Sequence, residues 1–429
     1  MTFWTSNPDV MPPIYIIWEA TISNILIMDM TPSTPADFAQ RALSHVQMVA
    51  KNGRGSATPA EKAAAEYVIG QLNSLGIKEV KVQSFSGERS LWLFVALAFG
   101  LALVGHAAYW LLRLPLGALP ALMIAWLFFG FSGYLTWCKF TNIDYPLSRA
   151  LPHAPSQNVV AVLPPAQSVT KQLVLLAHLD SHRAVFWFAS DFLLRLFTPI
   201  AIAAIFGIYL AIPVYLLAAL TGWLVFSWLG LLLAVLHFTA WFTGVTADLG
   251  QYSPGANDNA SAVGTVLALA ERLKAQPLIN TEIWLAFTGC EETSGDGVKA
   301  LIGEYGSALK QALFLDFEMV GIGDAVSYIR QEGNIRPLTI PPQIEAFIKE
   351  AGQKYGLDDA EAPLVGAATE CSVLWKYGFR AVCLIAHPTG STFLPQWHRL
   401  TDTPDHLELS SLERVHSLGW DVLRRFDQG

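Results

Sequence analysis

Two stretches of the chain, Leu91 to Trp137 and Phe192 to Gly244, are apolar at almost every position. Neither the 3.6-residue period of a half-buried helix nor the alternation of a half-buried strand describes them. In the first, the run Arg113-Leu114-Pro115-Leu116-Gly117 divides an otherwise uncharged stretch into two segments. Each is long enough to cross a hydrocarbon layer of ~30 Å as a helix. Trp92, Trp110 and Trp137 fall near the segment ends, where interfacial anchors belong. The second stretch has no charged residue from Phe197 to Phe242, and its turn is expected near Pro213 or near Thr221 and Gly222. Both stretches therefore read as transmembrane helical hairpins. Fully buried helices of a large soluble core are the bland alternative, but such cores seldom use two uninterrupted apolar runs of double length. Pro12 to Met30 is a weaker candidate, interrupted by Glu19 and Asp29 and lacking a basic leader or cleavage site. It reads as a peripheral segment, an extra span or an extension, and not as a signal peptide.

The remainder alternates between helical and strand patterns, as an α/β protein does. Lys78 to Phe85, Asn158 to Leu163, Gln172 to Ala177, Glu282 to Phe287, Ala312 to Glu318 and Arg380 to Ile385 are expected strands. Several are short continuous apolar runs, the signature of a sheet covered on both faces. Expected helices are Ala36 to Leu75, ending at Gly76, then Ala260 to Lys274, Val298 to Lys310, Pro342 to Tyr355, and Ser410 to Phe426 with Ser410 and Ser411 as caps. The fold class is thus α/β, a mixed and mostly parallel central sheet flanked by helices and interrupted by two apolar hairpins.

Composition sharpens this picture. Of 429 residues, 53% are hydrophobic and only 14% charged, too apolar for a chain whose whole surface faces water. A net charge of -8, with no basic stripe, argues against nucleic-acid binding. Cys138, Cys290, Cys371 and Cys383 have neither zinc-knuckle nor redox spacing. They read as buried thiols, although Cys371 and Cys383 could pair in an oxidising compartment.

Candidate chemistry gathers at strand ends. His178-Leu179-Asp180 ends the third strand; residues two apart share a face, so the carboxylate can hold the imidazole in one tautomer. Gly255-Ala256-Asn257-Asp258-Asn259-Ala260-Ser261 precedes an apolar helix and presents a carboxylate from a tight loop, or merely caps that helix. Glu291-Glu292 follows a strand; adjacent carboxylates repel unless cations neutralise them or water solvates them. One can bind metal while the other serves as general base, or both can decorate a helix N-terminus. Asp316-Phe317-Glu318 and Trp397-His398-Arg399 complete the set. Open α/β sheets place ligand sites along the carboxyl edge of their strands, which is where all five fall.

In order and spacing, these five motifs resemble the co-catalytic di-zinc aminopeptidase and carboxypeptidase family that includes bacterial leucyl aminopeptidase, aminopeptidase Y and glutamate carboxypeptidase. The resemblance runs from about Ala36 to the C-terminus once the hairpins are set aside, and includes Gly53-Arg54-Gly55-Ser56. It implies a metallopeptidase in which His178, Asp258 and Glu318 hold one zinc and Asp258, Glu292 and His398 the other, with Asp258 bridging. It further implies Glu291 as general base, Asp180 as the carboxylate behind His178, and Asp402-Thr403 as the pair after the last ligand. Two dications against three carboxylates leave one positive charge, which a bridging hydroxide cancels. Manganese or cobalt could occupy the same ligands. Asp316 is an alternative to Glu318, preferred less because Met319-Val320-Gly321 follows Glu318. The run Thr293-Ser294-Gly295-Asp296-Gly297 departs from soluble members and leaves the substrate pocket open. His182 and His387 read as structural or as supports behind the ligands.

The implied division is an unassigned extension over 1–35, peptidase parts at 36–90, 139–191 and 245–429, and transmembrane hairpins at 91–138 and 192–244. In soluble relatives a short loop joins the His-x-Asp strand to the bridging Asp. Here that join contains the second hairpin, so the site is expected near the bilayer, acting on peptides that are apolar or membrane-proximal. Hairpins keep all catalytic segments on one side of the membrane. Arg89, Lys139, Arg149 and Arg183 there, against Arg113 in a turn, and the missing signal peptide point to the cytoplasmic face. Beside an aminopeptidase stand a carboxypeptidase, dipeptidase or glutaminyl cyclase on the same metals, and an inactive receptor or scaffold. No arginine cluster recommends carboxylate recognition.

Overall fold

A computed structural model of the chain describes residues 34–141, 143, 148, 150–333, 337–360, 368–391 and 394–429. The expected segment Pro12 to Met30, and Arg149, lie outside the described residues. In chain order the elements are α1 (Pro35–Val49), α2 (Pro59–Ser74), β1 (Val80–Glu88), α3 (Leu91–Leu116), α4 (Ala118–Phe140), β2 (His153–Leu163) and β3 (Lys171–His178). Then come α5 (Asp191–Thr221), α6 (Leu224–Ala247), α7 (Ser261–Ala275), β4 (Thr281–Thr288), α8 (Asp296–Tyr305), β5 (Leu313–Glu318) and β6 (Ala325–Ile329). Last are β7 (Gln331–Glu332), β8 (Leu338–Thr339), α9 (Pro342–Gly352), β9 (Asp358–Ala360), α10 (Glu370–Lys376), β10 (Arg380–His387) and α11 (Leu409–Gln428).

Eight strands form one sheet in the order β1-β2-β4-β3-β5-β10-β6-β9. Its centre, β4-β3-β5-β10, is parallel, whereas β1, β2 and β6 join antiparallel. The central strands are buried on both faces, which is why Leu173 to Ala177 and Leu313 to Phe317 read as continuous apolar runs broken only by Asp316. α1, α2, α7 and α11 cover the sheet, and the carboxyl ends of β3, β4 and β5 open toward the apolar hairpins.

Three expectations are corrected here. Ala36 to Leu75 forms two helices, not one: Thr34 makes a capping box with Asp37, and Thr58, followed by Pro59, caps the second. The loop between them lies against Tyr252, where a Cβ on Gly55 would fall 2.0 Å from the ring. The last helix starts from Glu408 without a side-chain cap, because the Ser411 hydroxyl instead donates to the Val320 carbonyl at 3.0 Å. The helix expected to reach Lys310 stops at Tyr305. All four cysteines are buried free thiols.

α3 packs on α4 and α6, and α5 packs on the same two, so α3 and α5 face each other across a four-helix bundle. Gly117 (φ 91°) turns the first hairpin, and Gly222 (φ 70°) the second, α5 running on through Pro213. All four helices are long and apolar enough to cross a membrane, by length and composition. Inside the bundle the Tyr215 hydroxyl, His106, His237 and the Ala204 carbonyl form a hydrogen-bonded row with spacings of 2.8, 2.9 and 3.1 Å. Gly244 lets α6 touch α3: a Cβ there would meet the Ala96 nitrogen at 2.6 Å.

Each hairpin leaves and rejoins the sheet domain at a paired stem. Glu88 and His153 are ladder partners, with the Arg89 N–H donating to Pro152. Arg183 and Tyr252 form an isolated bridge, with Ala184 N–H donating to Gln251. The Lys139 ammonium at the end of α4 donates to Glu88 at 2.9 Å and to the Thr293 carbonyl at 2.7 Å, joining bundle and sheet.

Candidate metal centre

The five ligand candidates converge at the carboxyl edge of the sheet. His178 ends β3; its Nδ1 donates to the Asp180 carbonyl at 3.2 Å, which turns the Nε2 lone pair inward. That Nε2 lies 3.4 Å from Asp258 Oδ1 and 3.3 Å from Glu318 Oε2. On the other side His398 Nε2 lies 3.2 Å from Asp258 Oδ2 and 3.2 Å from Glu292 Oε2. Asp258 thus offers one oxygen to each half. Glu291 stands at the edge, its Oε2 3.9 Å from His178 Nε2.

The loops around these residues hold one another in place. Asp402 accepts the N–H groups of Asn257 and Asp258 at 2.8 and 3.1 Å. Asn257 and Asn259 reach the other way: Asn257 Oδ1 accepts from Gly321, and Asn259 donates to Glu318 Oε2 and accepts from Met319. The pair of asparagines beside Asp258 therefore fastens its loop to the end of β5. Asp180 accepts the Glu291 and Glu292 N–H groups at 3.1 and 3.2 Å and the Ser56 hydroxyl at 2.6 Å. Its carboxylate is 3.5 Å from His178 Nδ1, so it holds the two-glutamate turn more closely than the imidazole. Arg54 lies fully buried between the halves, donating to the carbonyls of Leu179 and Gly255 at 2.8 and 3.0 Å and to that of Pro254. Burial lowers its pKa to about 10, which leaves it a cation at neutral pH. Cys290, Met319 and His398 all have positive φ, so the strain in this fold collects around the site.

The electrostatics are those of a cluster short of positive charge. Burial, with Asp258 and Glu292 nearby, pushes Glu318 up to about 8; burial and Asp258 push Glu292 to about 7. Burial first, then Glu292, Glu318 and Asp180, hold Glu291 well above the usual carboxylate range. Burial would lower His178 and His398, yet the carboxylates around them raise both, His398 to about 9. Asp258, opposed by burial, is held below its ordinary range by the two imidazoles. In addition, Glu292 Oε1 and His398 Nδ1 are buried without a hydrogen-bond partner. Mixed imidazole and carboxylate donors, facing inward with unmet valence, fit divalent zinc.

Two groups can each surround an ion within 4.8 Å of mutual separation, His178-Asp258-Glu318 and His182-Glu292-His398. The second includes His182, which reads as structural in the sequence. Its ring stacks on His398 at 3.8 Å, and Nδ1 pairs with the Arg183 carbonyl. Burial and the neighbouring His398 hold it well below the ordinary histidine range, hence neutral. The repeat His178-Leu179-Asp180-Ser181-His182 carries the signal, visible only once the chain is known to fold back there. Asp316 is fully buried beneath the cluster with neither oxygen bonded, and it joins neither group. His387 bonds Ser327 away from the site.

The profile of Peptidase family M28 matches residues 232–423, which contain Asp258, Glu291, Glu292, Glu318 and His398. No curated protein matches the chain by sequence. Among solved structures, a zinc aminopeptidase from Bacillus subtilis superposes with a TM-score of 0.52 at 14% identity, over 92% of this chain and 95% of that one. A glutaminyl cyclase from an Acidobacteriales bacterium gives 0.52 at 14%, over 93% and 97%. A leucine aminopeptidase precursor from Bacteroides thetaiotaomicron gives 0.51 at 15%, over 90% and 96%. The fold is that of the zinc aminopeptidases and glutaminyl cyclases, a mixed sheet flanked by helices, with four long apolar helices added.

Proposed function

We propose that the chain is a membrane-anchored, zinc-dependent exopeptidase that removes N-terminal residues from peptides. The observation that carries this reading is Asp258, set between two imidazoles that each face a further carboxylate, with Glu291 beside them. His178, Asp258 and Glu318 would hold one zinc and Asp258, Glu292 and His398 the other, with His182 within reach of the second. Such a pair polarises a peptide carbonyl and acidifies water.

The protein's own groups do the rest. Glu291 takes the proton of the attacking water on its carboxylate and returns it to the departing amine. Asp180 is a positioning residue, fixing the backbone of Glu291 and Glu292. The acidic cluster also attracts the ammonium of a free N-terminus.

The four apolar helices would cross the bilayer, with the sheet domain on the side of both stems. Arg89, Lys139 and Arg183 on that side support a cytoplasmic placement, with a peptide at or near the membrane as substrate. The equal likeness to glutaminyl cyclases supports a second reading, cyclisation of an N-terminal glutamine on the same site.

Metal content and hydrolysis of free and N-blocked aminoacyl reporters test this, with the detergent-purified chain set against Glu291→Gln. Two zincs per chain in both, with activity on free N-termini in the parent alone, is the expected result. Metal with turnover only of blocked substrates or N-terminal glutamine changes the class. Loss of both metal and activity leaves a receptor or scaffold.

A further inference from the structure

A cavity of about 360 Å³, the size of a small-molecule site, holds the metal-ligand candidates at one end. Its other end lies among the apolar helices. Asp258, Glu292, Glu318 and His398 line the first part, while Phe99, Phe197, Ala201, Ala204, Ile205 and Ala240 line the second. Between them stand Trp92 and Phe188. Phe188 packs edge-on against His398 at 4.9 Å and against Phe197 at 5.6 Å, so it touches both a ligand candidate and the bundle.

At 1.5 Å per residue, Phe99 lies ~12 Å along α3, and Ile205 ~20 Å along α5. The inner end therefore sits well within the helices, not at their rim. Its hydroxyls are spent: Thr239 donates to Val235, Thr243 to Thr239, and the Trp187 indole to Thr243. The wall has little left to offer except apolar surface. The Trp92 indole N–H, by contrast, is buried and unpartnered at the junction.

We infer that this chamber is the specificity pocket of the metal centre and accepts a long, linear apolar group carried by the residue whose carbonyl meets the metals. The substrate is an amphiphile, with its peptide amide at the polar end of the cavity and a lipid-like chain between α3, α5 and α6. A soluble peptidase pocket bounded by loops admits side chains of ordinary length; a pocket bounded by the bundle continues inward as far as the helices diverge. The inference rests on the peptidase reading of the metal centre.

The test is a series of aminoacyl anilides bearing linear side chains from alanine through norvaline and norleucine to decylglycine. Each is used below its aggregation limit in two detergents. kcat/KM is expected to rise by about fourfold per methylene until the chamber is full. Ala201→Phe cuts the rise short, and Phe197→Ala extends it to longer chains. A flat profile, or a slope that follows the detergent and is identical in both variants, overturns the inference. Equilibrium binding of decylglycine amide to Glu291→Gln and to Glu291→Gln/Ala201→Phe separates the two readings. Tight binding that Ala201→Phe weakens, without hydrolysis by the parent chain, supports the chamber and sinks the peptidase. Hydrolysis of the alanine anilide without chain-length dependence does the reverse.

Discussion

The sheet domain and the helix bundle turn different surfaces outward. In the sheet domain, Leu, Val, Ile and Phe fill the interior, and charges buried there, such as Glu61, Glu332, Glu370 and Asp427, are each held by hydrogen bonds. In the bundle, Leu127 is 74% exposed and Trp228 63%, while His106, Ser132 and His237 lie inside with Tyr109, Phe129 and Tyr215. Both arrangements make sense if each surface is matched to its surroundings: water around the sheet, hydrocarbon around the bundle. In lipid, helices gain little by hiding leucine, so association rests on close backbone approach and internal hydrogen bonds. On the membrane-anchored reading proposed above, the same chain follows two solvation rules, and the candidate site lies where they meet.

Substitutions can break or sharpen this contrast. Glu291→Gln should reduce kcat by about 10²- to 10⁴-fold, the usual range for a general base, with metal content unchanged by elemental analysis. Arg54→Met should cost about 3–5 kcal/mol by removing a buried cation from the carbonyls it satisfies. It should also release metal, because Arg54 joins the His178 strand end to the Asp258 loop; thermal unfolding with and without zinc reads both effects. Leu127→Arg should oppose insertion by ~2.5–3.5 kcal/mol. The matching change at exposed Met48 of the sheet domain should fall within about 0.5 kcal/mol. Equal effects at the two sites, measured by membrane fractionation and unfolding, would dissolve the distinction between the regions. Gly244→Leu should cost about 1–3 kcal/mol by forcing α6 from α3, detectable as a lower Tm of the bundle with metal retained. The gentlest effect concerns pH. Without cations, Glu292, Glu318 and His398 bind protons up to about 7, 8 and 9. Zinc must expel them, so zinc affinity should strengthen as pH rises from 6 to 8; the zinc-induced Tm shift at each pH checks this.

Much of the fold was legible because its central strands are covered on both faces and so read as apolar runs. β6 to β9 were not, since they are two to five residues long, β6 and β9 at one side of the main sheet and β7 and β8 in a small sheet of their own, and leave no period to read. The split between α1 and α2 was written in Gly53-Arg54-Gly55-Ser56 and Thr58-Pro59, turn and cap signals that a continuous amphipathic count overrode. At the site, the motifs placed His178, Asp258, Glu292, Glu318 and His398 on consecutive strand ends, and the structure brings them together. Reading which of Asp316 and Glu318 faces the cluster needed the register: both side chains point to the same side of β5, but only Glu318 reaches the end where His178 stands. The role of Arg54 depends on contacts across 125 and 201 residues of chain, and that of His182 on its stacking against the distant His398, which no local pattern encodes.

The paired stems make each hairpin a graft. Glu88 sits opposite His153, and Arg183 opposite Tyr252, so the chain leaves and re-enters the sheet domain at neighbouring residues on each insertion. In the folded chain each stem therefore closes a loop of about sixty residues or more, where a tight turn at the same pair would close a far smaller one at a lower entropic cost. Exchanging either hairpin for a tight turn at its stem would shrink that loop, but it would also remove contacts that reach the site: Lys139 on the Thr293 carbonyl from the first, Phe188 against His398 from the second.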